Sequence, residues 1–152
     1  MNNSRRKFIQ NTMLVGAGIS MPQILSASDF GRYTRTIKAS DQINFGLIGC
    51  KGMGWSNMNV HLKLPQVNCV ALADVDQSVL DQRTNDVFKL RGKKPKQYSD
   101  YRKMLEDPNI DVVIIGTPDH WHCLNMVDAV SAGKHVYVEK PIANTIEECQ
   151  IM

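Results

Sequence analysis

The chain has 152 residues, 43% of them hydrophobic and 22% charged, which suits one domain with a buried core and excludes a disordered charged tail. Its net charge of +3 comes from Arg5, Arg6 and Lys7: the first 28 residues hold no acid, and beyond them 15 basic residues balance 15 acidic ones. No basic stripe is left to displace counterions from phosphates, so a nucleic-acid partner is excluded.

Ser4-Arg5-Arg6-Lys7-Phe8-Ile9-Gln10 precedes a short apolar stretch, Met13 to Met21, then Pro22 and a small-residue patch, Ser26-Ala27-Ser28. Charged, apolar and cleavage regions in that order resemble a twin-arginine signal over residues 1–28. The expectation is export through the twin-arginine machinery, to the periplasm or otherwise beyond the cytoplasm, of a protein folded before it crosses. An N-terminal membrane anchor is the rival reading. Residues 29–42 mix Ser, Thr, Lys and Arg without apolar period and read as a linker. No apolar run reaches the roughly 18 to 20 residues that span a bilayer, so a soluble mature chain is expected.

From Ile43 the pattern alternates strand and helix. Ile43 to Gly49 is a β-leaning run ending in a glycine-rich turn; a helix is expected over Trp55 to Leu64, closed by Pro65, and a second strand over Val67 to Ala73, ending at Asp74. Strand, turn, helix and strand within about 30 residues make a βαβ unit, whose strands are parallel. Ser78 can cap a helix running to Arg91, with Val79, Leu80, Val87 and Leu90 on its apolar face and Gly92 as its stop. A brief strand at Gln97-Tyr98 and a helix from Ser99 to Glu106 follow, stopped by Asp107-Pro108. Asp111 to Gly116 is nearly continuous β-branched residues, the composition of a strand buried on both faces. A helix from His120 to Ala132, a strand over His135 to Glu139 and a helix starting at Thr145 complete residues 43–152. The fold class expected is α/β, a doubly wound parallel sheet.

Cys50, Cys69, Cys123 and Cys149 lie 19, 54 and 26 positions apart, matching neither a zinc pattern nor a disulfide framework, and read as buried thiols. His120 and His122 lack a third ligand at suitable spacing, so no metal is expected. Trp121 reads as a packing residue, with a substrate platform as the alternative, and Asp119 as a helix cap.

The first turn reads Gly49-Cys50-Lys51-Gly52-Met53-Gly54. A dinucleotide turn, G-x-G-x-x-G, needs glycine so that the backbone can approach a pyrophosphate held by N–H groups at the helix start. Gly49 and Gly54 match, but Lys51 stands where the middle glycine belongs. Either Gly52 takes over the close approach while Lys51 points toward the phosphates, or the turn no longer admits a dinucleotide tightly. Asp74, closing the second strand, is placed to bind the adenosine ribose hydroxyls and to repel a 2′-phosphate, which favours NAD over NADP. Asp76 is its rival, with a helix-start role as the alternative.

Two later turns also follow strands: Gly116-Thr117-Pro118-Asp119-His120-Trp121-His122 and Glu139-Lys140-Pro141. In an open parallel sheet such turns border one crevice. With these four motifs in order, residues 43–152 resemble the N-terminal half of the Gfo/Idh/MocA oxidoreductase family. The resemblance implies that NAD is the cofactor, that Thr117, Pro118 and His122 flank its nicotinamide ribose, and that Glu139 holds its nicotinamide end. It implies that Lys140 is catalytic, reaching cofactor and substrate hydroxyl, where an ammonium stabilises developing alkoxide and relays a proton. Pro141 is expected to fix the turn, a cis bond being one way to do so.

The family resemblance also implies a second, mostly antiparallel substrate domain, which carries the usual histidine and acid and most of any homo-oligomer interface. That domain is absent from these residues. Three readings follow: the NAD-binding half of an exported oxidoreductase acting on a sugar, cyclitol or glycoside alcohol; an NAD-dependent, redox-neutral glycosidase; or an inactive nucleotide-binding fragment.

Overall fold

The computed structural model describes residues 41–152; the expected export signal and nearly all of the expected linker lie outside the described residues. Five parallel strands, β1 (Ile43–Ile48), β2 (Val67–Ala73), β3 (Lys96–Tyr98), β4 (Val112–Ile115) and β5 (His135–Val138), form one sheet in the order β3-β2-β1-β4-β5. The helices between them are α1 (Gly52–His61), α2 (Gln77–Arg91), α3 (Tyr101–Leu105) and α4 (His122–Ser131), with a 3-10 turn at Asp119–Trp121, and α5 (Ile146–Ile151) follows β5. This is the doubly wound, Rossmann-like arrangement, and the strand order reverses between β1 and β4.

Alternation along the strands builds a core on each face. Leu47 and Ile114 pack with Met58, Leu62, Leu72, Leu80 and Val87 on the side of α1 and α2. Their neighbours Ile48, Val113 and Ile115 turn the other way, onto Met104, Leu105, Ile110 and Ala129 beneath α3 and α4. Each fully buried aliphatic side chain contributes on the order of 1.5–3 kcal/mol, so the strands that carry the turns are anchored in the core. Arg91, at the end of α2, donates to the carbonyls of Leu62, Pro65 and Val67 and ties down the return from α1 to β2.

The helix boundaries depart from the sequence reading for identifiable reasons. α1 starts at Gly52 rather than Trp55, because the glycines already belong to its first turn, and it ends at His61. Asp76, not Ser78, caps α2 by accepting from the Ser78 N–H, and Asp100, not Ser99, caps α3 by accepting from Arg102 N–H. Leu90 is exposed rather than buried, whereas Val79, Leu80 and Val87 are in the core. Asp119 sits inside the 3-10 turn and accepts from the next residue's N–H, and α4 has no side-chain cap. Thr145 caps α5 through a reciprocal pair with Glu148. Cys50, Cys69 and Cys123 are buried, but Cys149 is exposed. Among the described residues no helix is long and apolar enough to cross a membrane.

Register carries the strand ends onto the turns. Ile48 pairs with Ala73 on one side and Ile115 on the other. One step further, Gly49 N–H donates to Ala73 O, Gly116 N–H to Ile48 O, Glu139 N–H to Ile115 O and Asp74 N–H to Tyr98 O. Gly49, Asp74, Gly116 and Glu139 therefore emerge side by side at the carboxyl end of the sheet.

Candidate functional site

Gly49, Gly54 and Gly116 meet at the switch point with no room for side chains. A Cβ on Gly49 would stand 2.6 Å from Thr117 N; one on Gly54 would fall on Gly49 O, and one on Gly116 on the Cα of Gly54. Gly49 also has a φ of +82°, which only glycine adopts readily. The first turn and the Thr117 turn are thus in backbone contact, and α1 begins against both. Gly52 has a φ of +39° and open space where a Cβ would be. No side chain caps α1 and its first turn holds no acid, so the N–H groups of Gly52, Met53 and Gly54 open the helix without a carboxylate competitor. That donor set fits a pyrophosphate.

Asp74 is fixed by two backbone donors, Cys50 N–H at 2.7 Å to Oδ2 and Asp76 N–H at 3.0 Å to Oδ1. The carboxylate is locked against the first turn, and each oxygen keeps a lone pair for a hydroxyl donor. Asp76 is occupied otherwise: besides capping α2 it accepts from Lys51 Nζ at 2.9 Å. That bond raises the Lys51 ammonium above its ordinary range and holds Asp76 well below the usual carboxylate range. Lys51 therefore points along the turn to the end of β2, not toward the start of α1, while Gly52 presents the open backbone. Arg83 braces the turn from behind, donating to Cys50 O at 3.2 Å and lying 4.7 Å from the Trp55 ring.

A cleft of about 530 Å³ opens beside these groups, lined by Gly49, Asp74, Val75, Tyr101, Thr117, Pro118 and Trp121 among others. Trp121 is 45% exposed and lines this cleft, so it is not the packing residue that the sequence suggests. Asp128 accepts from Tyr101 Oη at 2.7 Å, and burial followed by that bond pushes the phenol up to about 12, so it stays a neutral wall of the cleft.

The other half of the site is held by a histidine. His122 is 1% exposed, with Nδ1 2.7 Å from Pro141 O and Nε2 2.8 Å from Thr117 O. Each ring nitrogen faces a backbone carbonyl, and the one that carries the proton donates to it, so His122 packs between the Thr117-Pro118 turn and the Glu139-Lys140-Pro141 turn with neither nitrogen directed at open space. Among the described residues no cluster of three or more His, Cys, Asp or Glu is arranged to hold a metal ion. The Lys140–Pro141 bond is cis. Glu139 accepts from Asn57 Nδ2 at 2.7 Å and from Lys140 N–H at 2.9 Å, and these bonds, the Asn57 one first, keep its carboxyl below the ordinary range. Lys140 is exposed, and its side chain makes no hydrogen bond or ion pair with the described residues. Two buttresses escape a reading of the sequence: Asn57, which brings α1 to the end of β5, and Asn125, buried on α4 and bonded to Thr117 Oγ1 at 3.1 Å. Both are amides inside helices, far in sequence from the groups they hold, and no local pattern marks them.

The geometry thus offers a helix-start anion cradle, a locked acid at the second strand, and a free ammonium beyond a bonded carboxylate. The sequence model of an oxidoreductase family with an NAD-binding Rossmann fold, Gfo/Idh/MocA, matches residues 43–152. Glycosyl hydrolase family 109 protein 1 of Shewanella sp. (strain ANA-3) is 32% identical over 163 residues, spanning 97% of this chain and 36% of that protein. The alpha-N-acetylgalactosaminidase of Shewanella oneidensis is 36% identical over 111 residues, 70% of this chain and 24% of that protein. Among solved structures, the myo-inositol dehydrogenase of Lactobacillus casei in complex with NAD(H) and myo-inositol superposes with a TM-score of 0.66 at 26% identity, covering 72% of this chain and 31% of that one. An NAD binding oxidoreductase from Klebsiella pneumoniae does so with a TM-score of 0.60 at 33% identity, over 72% of this chain and 30% of that one. The chain spans between about a quarter and about a third of the length of the relatives it matches.

Proposed function

Because the chain belongs to the Gfo/Idh/MocA oxidoreductase family, as an NAD-binding Rossmann domain, we propose that it is the cofactor half of a larger enzyme that acts on a sugar-like alcohol. The observation that carries this reading is Lys140: an exposed ammonium, unpaired among the described residues, on a turn that His122 packs beside the Thr117-Pro118 turn and that Asn57 joins to α1 through Glu139. In this reading Gly52, Met53 and Gly54 take the pyrophosphate on N–H groups, Asp74 takes the adenosine ribose, and Thr117 and Pro118 line the path between. His122 positions both nicotinamide-side turns from beneath. Bound NAD supplies the hydride acceptor. Lys140 would face the carbinol oxygen and offset its growing negative charge, the carbinol proton leaving to the base of the substrate domain that the family resemblance implies.

A second reading is favoured by the relatives named as family 109 glycosyl hydrolases and as an alpha-N-acetylgalactosaminidase. A glycosidase of this kind removes hydride from a sugar carbon, eliminates the aglycone, adds water and returns the hydride, with no net change in NAD. It does not need the usual carboxylate pair, as some NAD-dependent glycosidases do not. Arg5-Arg6 and the apolar stretch behind them favour export of the folded, NAD-loaded protein by the twin-arginine route. Net reduction of NAD with a free sugar or cyclitol supports the dehydrogenase; release of aglycone from an aryl glycoside without net NADH supports the glycosidase. In either assay Lys140→Ala in the full-length protein is expected to lower kcat by at least about a hundredfold with NAD affinity little changed; unaltered turnover refutes the role of Lys140.

A further inference from the structure

Lys51 replaces a glycine at the most constrained turn of the fold, and its side chain crosses from the end of β1 to the end of β2. Asp74 is the centre of that crossing. Its two oxygens accept from the N–H groups of Cys50 and Asp76, and the residue after Cys50 is bonded through its side chain to Asp76 at 2.9 Å. Lys51, Cys50, Asp74 and Asp76 thus form a closed ring around the acid assigned to the ribose. The ring holds two carboxylates and one ammonium, and the ammonium is already engaged.

A 2′-phosphate brought to this ribose carries close to two negative charges and meets both carboxylates. Lys51 is the cation that the ring itself supplies and is 65% exposed, so its four-carbon stem is free to swing; what withholds it is Asp76. We propose that Asp76 sets cofactor choice by holding Lys51: with the ion pair closed the domain takes NAD, and with the pair broken Lys51 becomes a ligand for the 2′-phosphate of NADP. The proposal deepens the function proposed above and rests on Asp74 as the ribose acid.

Asp76 also caps α2, so the informative variant is Asp76→Asn, which removes the charge and keeps a good cap. Titration calorimetry of NAD and NADP into the full-length protein, with Asp76→Asn, Lys51→Gly and the double variant, tests the proposal. Asp76→Asn is expected to tighten NADP about tenfold, the size of one or two exposed charge interactions, and to move NAD by no more than about twofold. Adding Lys51→Gly should abolish the gain, and high salt should shrink it. An unchanged ratio of NADP to NAD affinity in Asp76→Asn, or a gain that persists in the double variant, overturns the role given to Lys51 and Asp76. If the unsubstituted chain binds no NAD at all, the ribose assignment of Asp74 fails first and the proposal fails with it; if it binds NAD and only the ratio stays fixed, the proposal fails alone.

Discussion

Gly54 and Gly52 sit two residues apart in one helical turn, yet alanine at each should fail in a different way. A Cβ on Gly54 would fall on Gly49 O and lie 3.1 Å from Gly116 Cα. All of these obstacles are backbone, held by the strand-end ladder from Gly49 to Ala73 and from Gly116 to Ile48, so none can swing aside as a side chain would. Relief requires α1 to move bodily off the sheet, pulling Met58 from its fully buried place in the core. Overpacking of this kind costs about 1–3 kcal/mol even where side chains can adjust, and here the upper end, about 3 kcal/mol, is expected. At about 4 °C per kcal/mol for a domain of this size, Gly54→Ala should melt about 12 °C below the parent. A methyl added at Gly52 would meet nothing within 4 Å, and the φ of +39° is the sole obstacle to a side chain there, a cost of about 1–2 kcal/mol. That methyl enters the open space in front of the helix start, where the pyrophosphate is proposed to lie. Thermal unfolding followed by circular dichroism, paired with NAD titration, separates the two. Gly54→Ala should lose most in stability, and Gly52→Ala should lose more in NAD affinity than its modest melting shift explains. A Gly54→Ala protein that melts within a few degrees of the parent would refute the close-contact argument.

Asp107 should contribute to acid sensitivity: it accepts from Lys96 Nζ at 2.7 Å and from Asn109 N–H, and its pKa is lowered to about 2. A carboxylate depressed in the folded state stabilises it above the unfolded pKa of about 3.9 and loses that contribution as pH falls toward the folded value; Asp107→Asn should therefore flatten the pH dependence of urea midpoints between about pH 4 and pH 2, and an unchanged slope there would count against the pairing. Thiol labelling of the native chain under reducing conditions should modify Cys149 first. Cys50 and Cys69, whose thiols burial pushes up, Cys69 to about 12, should react only on unfolding, so rapid native labelling of either would contradict the core described above.

What the sequence makes legible is whatever depends on neighbours along the chain. The β-branched run at Asp111 to Gly116, the glycine turn and the acid at Asp74 each announce a strand, its end and its polarity, and register alone brings those ends together. A local reading misplaces the caps by one or two residues because an aspartate near the serine is the one that accepts a first-turn N–H, Asp76 that of Ser78 itself and Asp100 that of Arg102. Long-range polar pairs leave no such trace. Asn57 and Glu139 are 82 positions apart, and neither residue's local setting specifies the other.

The fate of Lys51 follows from the same distinction. Read locally, a lysine in a phosphate-binding turn is a phosphate ligand, since charge and spacing both favour it. The folded chain puts Asp76 within reach across the β1–β2 pairing, 25 positions away, and a carboxylate that is already fixed by the α2 cap takes the ammonium. In the binding mode proposed above, the pyrophosphate is then left to backbone N–H groups alone, and Gly52, with open space before it, matters more than the missing middle glycine. At the Glu139-Lys140-Pro141 turn the outcome is the opposite: Glu139 accepts from Asn57 and from the Lys140 backbone, and the Lys140 side chain makes no bond with the described residues. One lysine is bound by an acid that the fold brings to it from 25 positions away and the other is left unbound, so the two cations are set apart by long-range placement rather than by position in a motif.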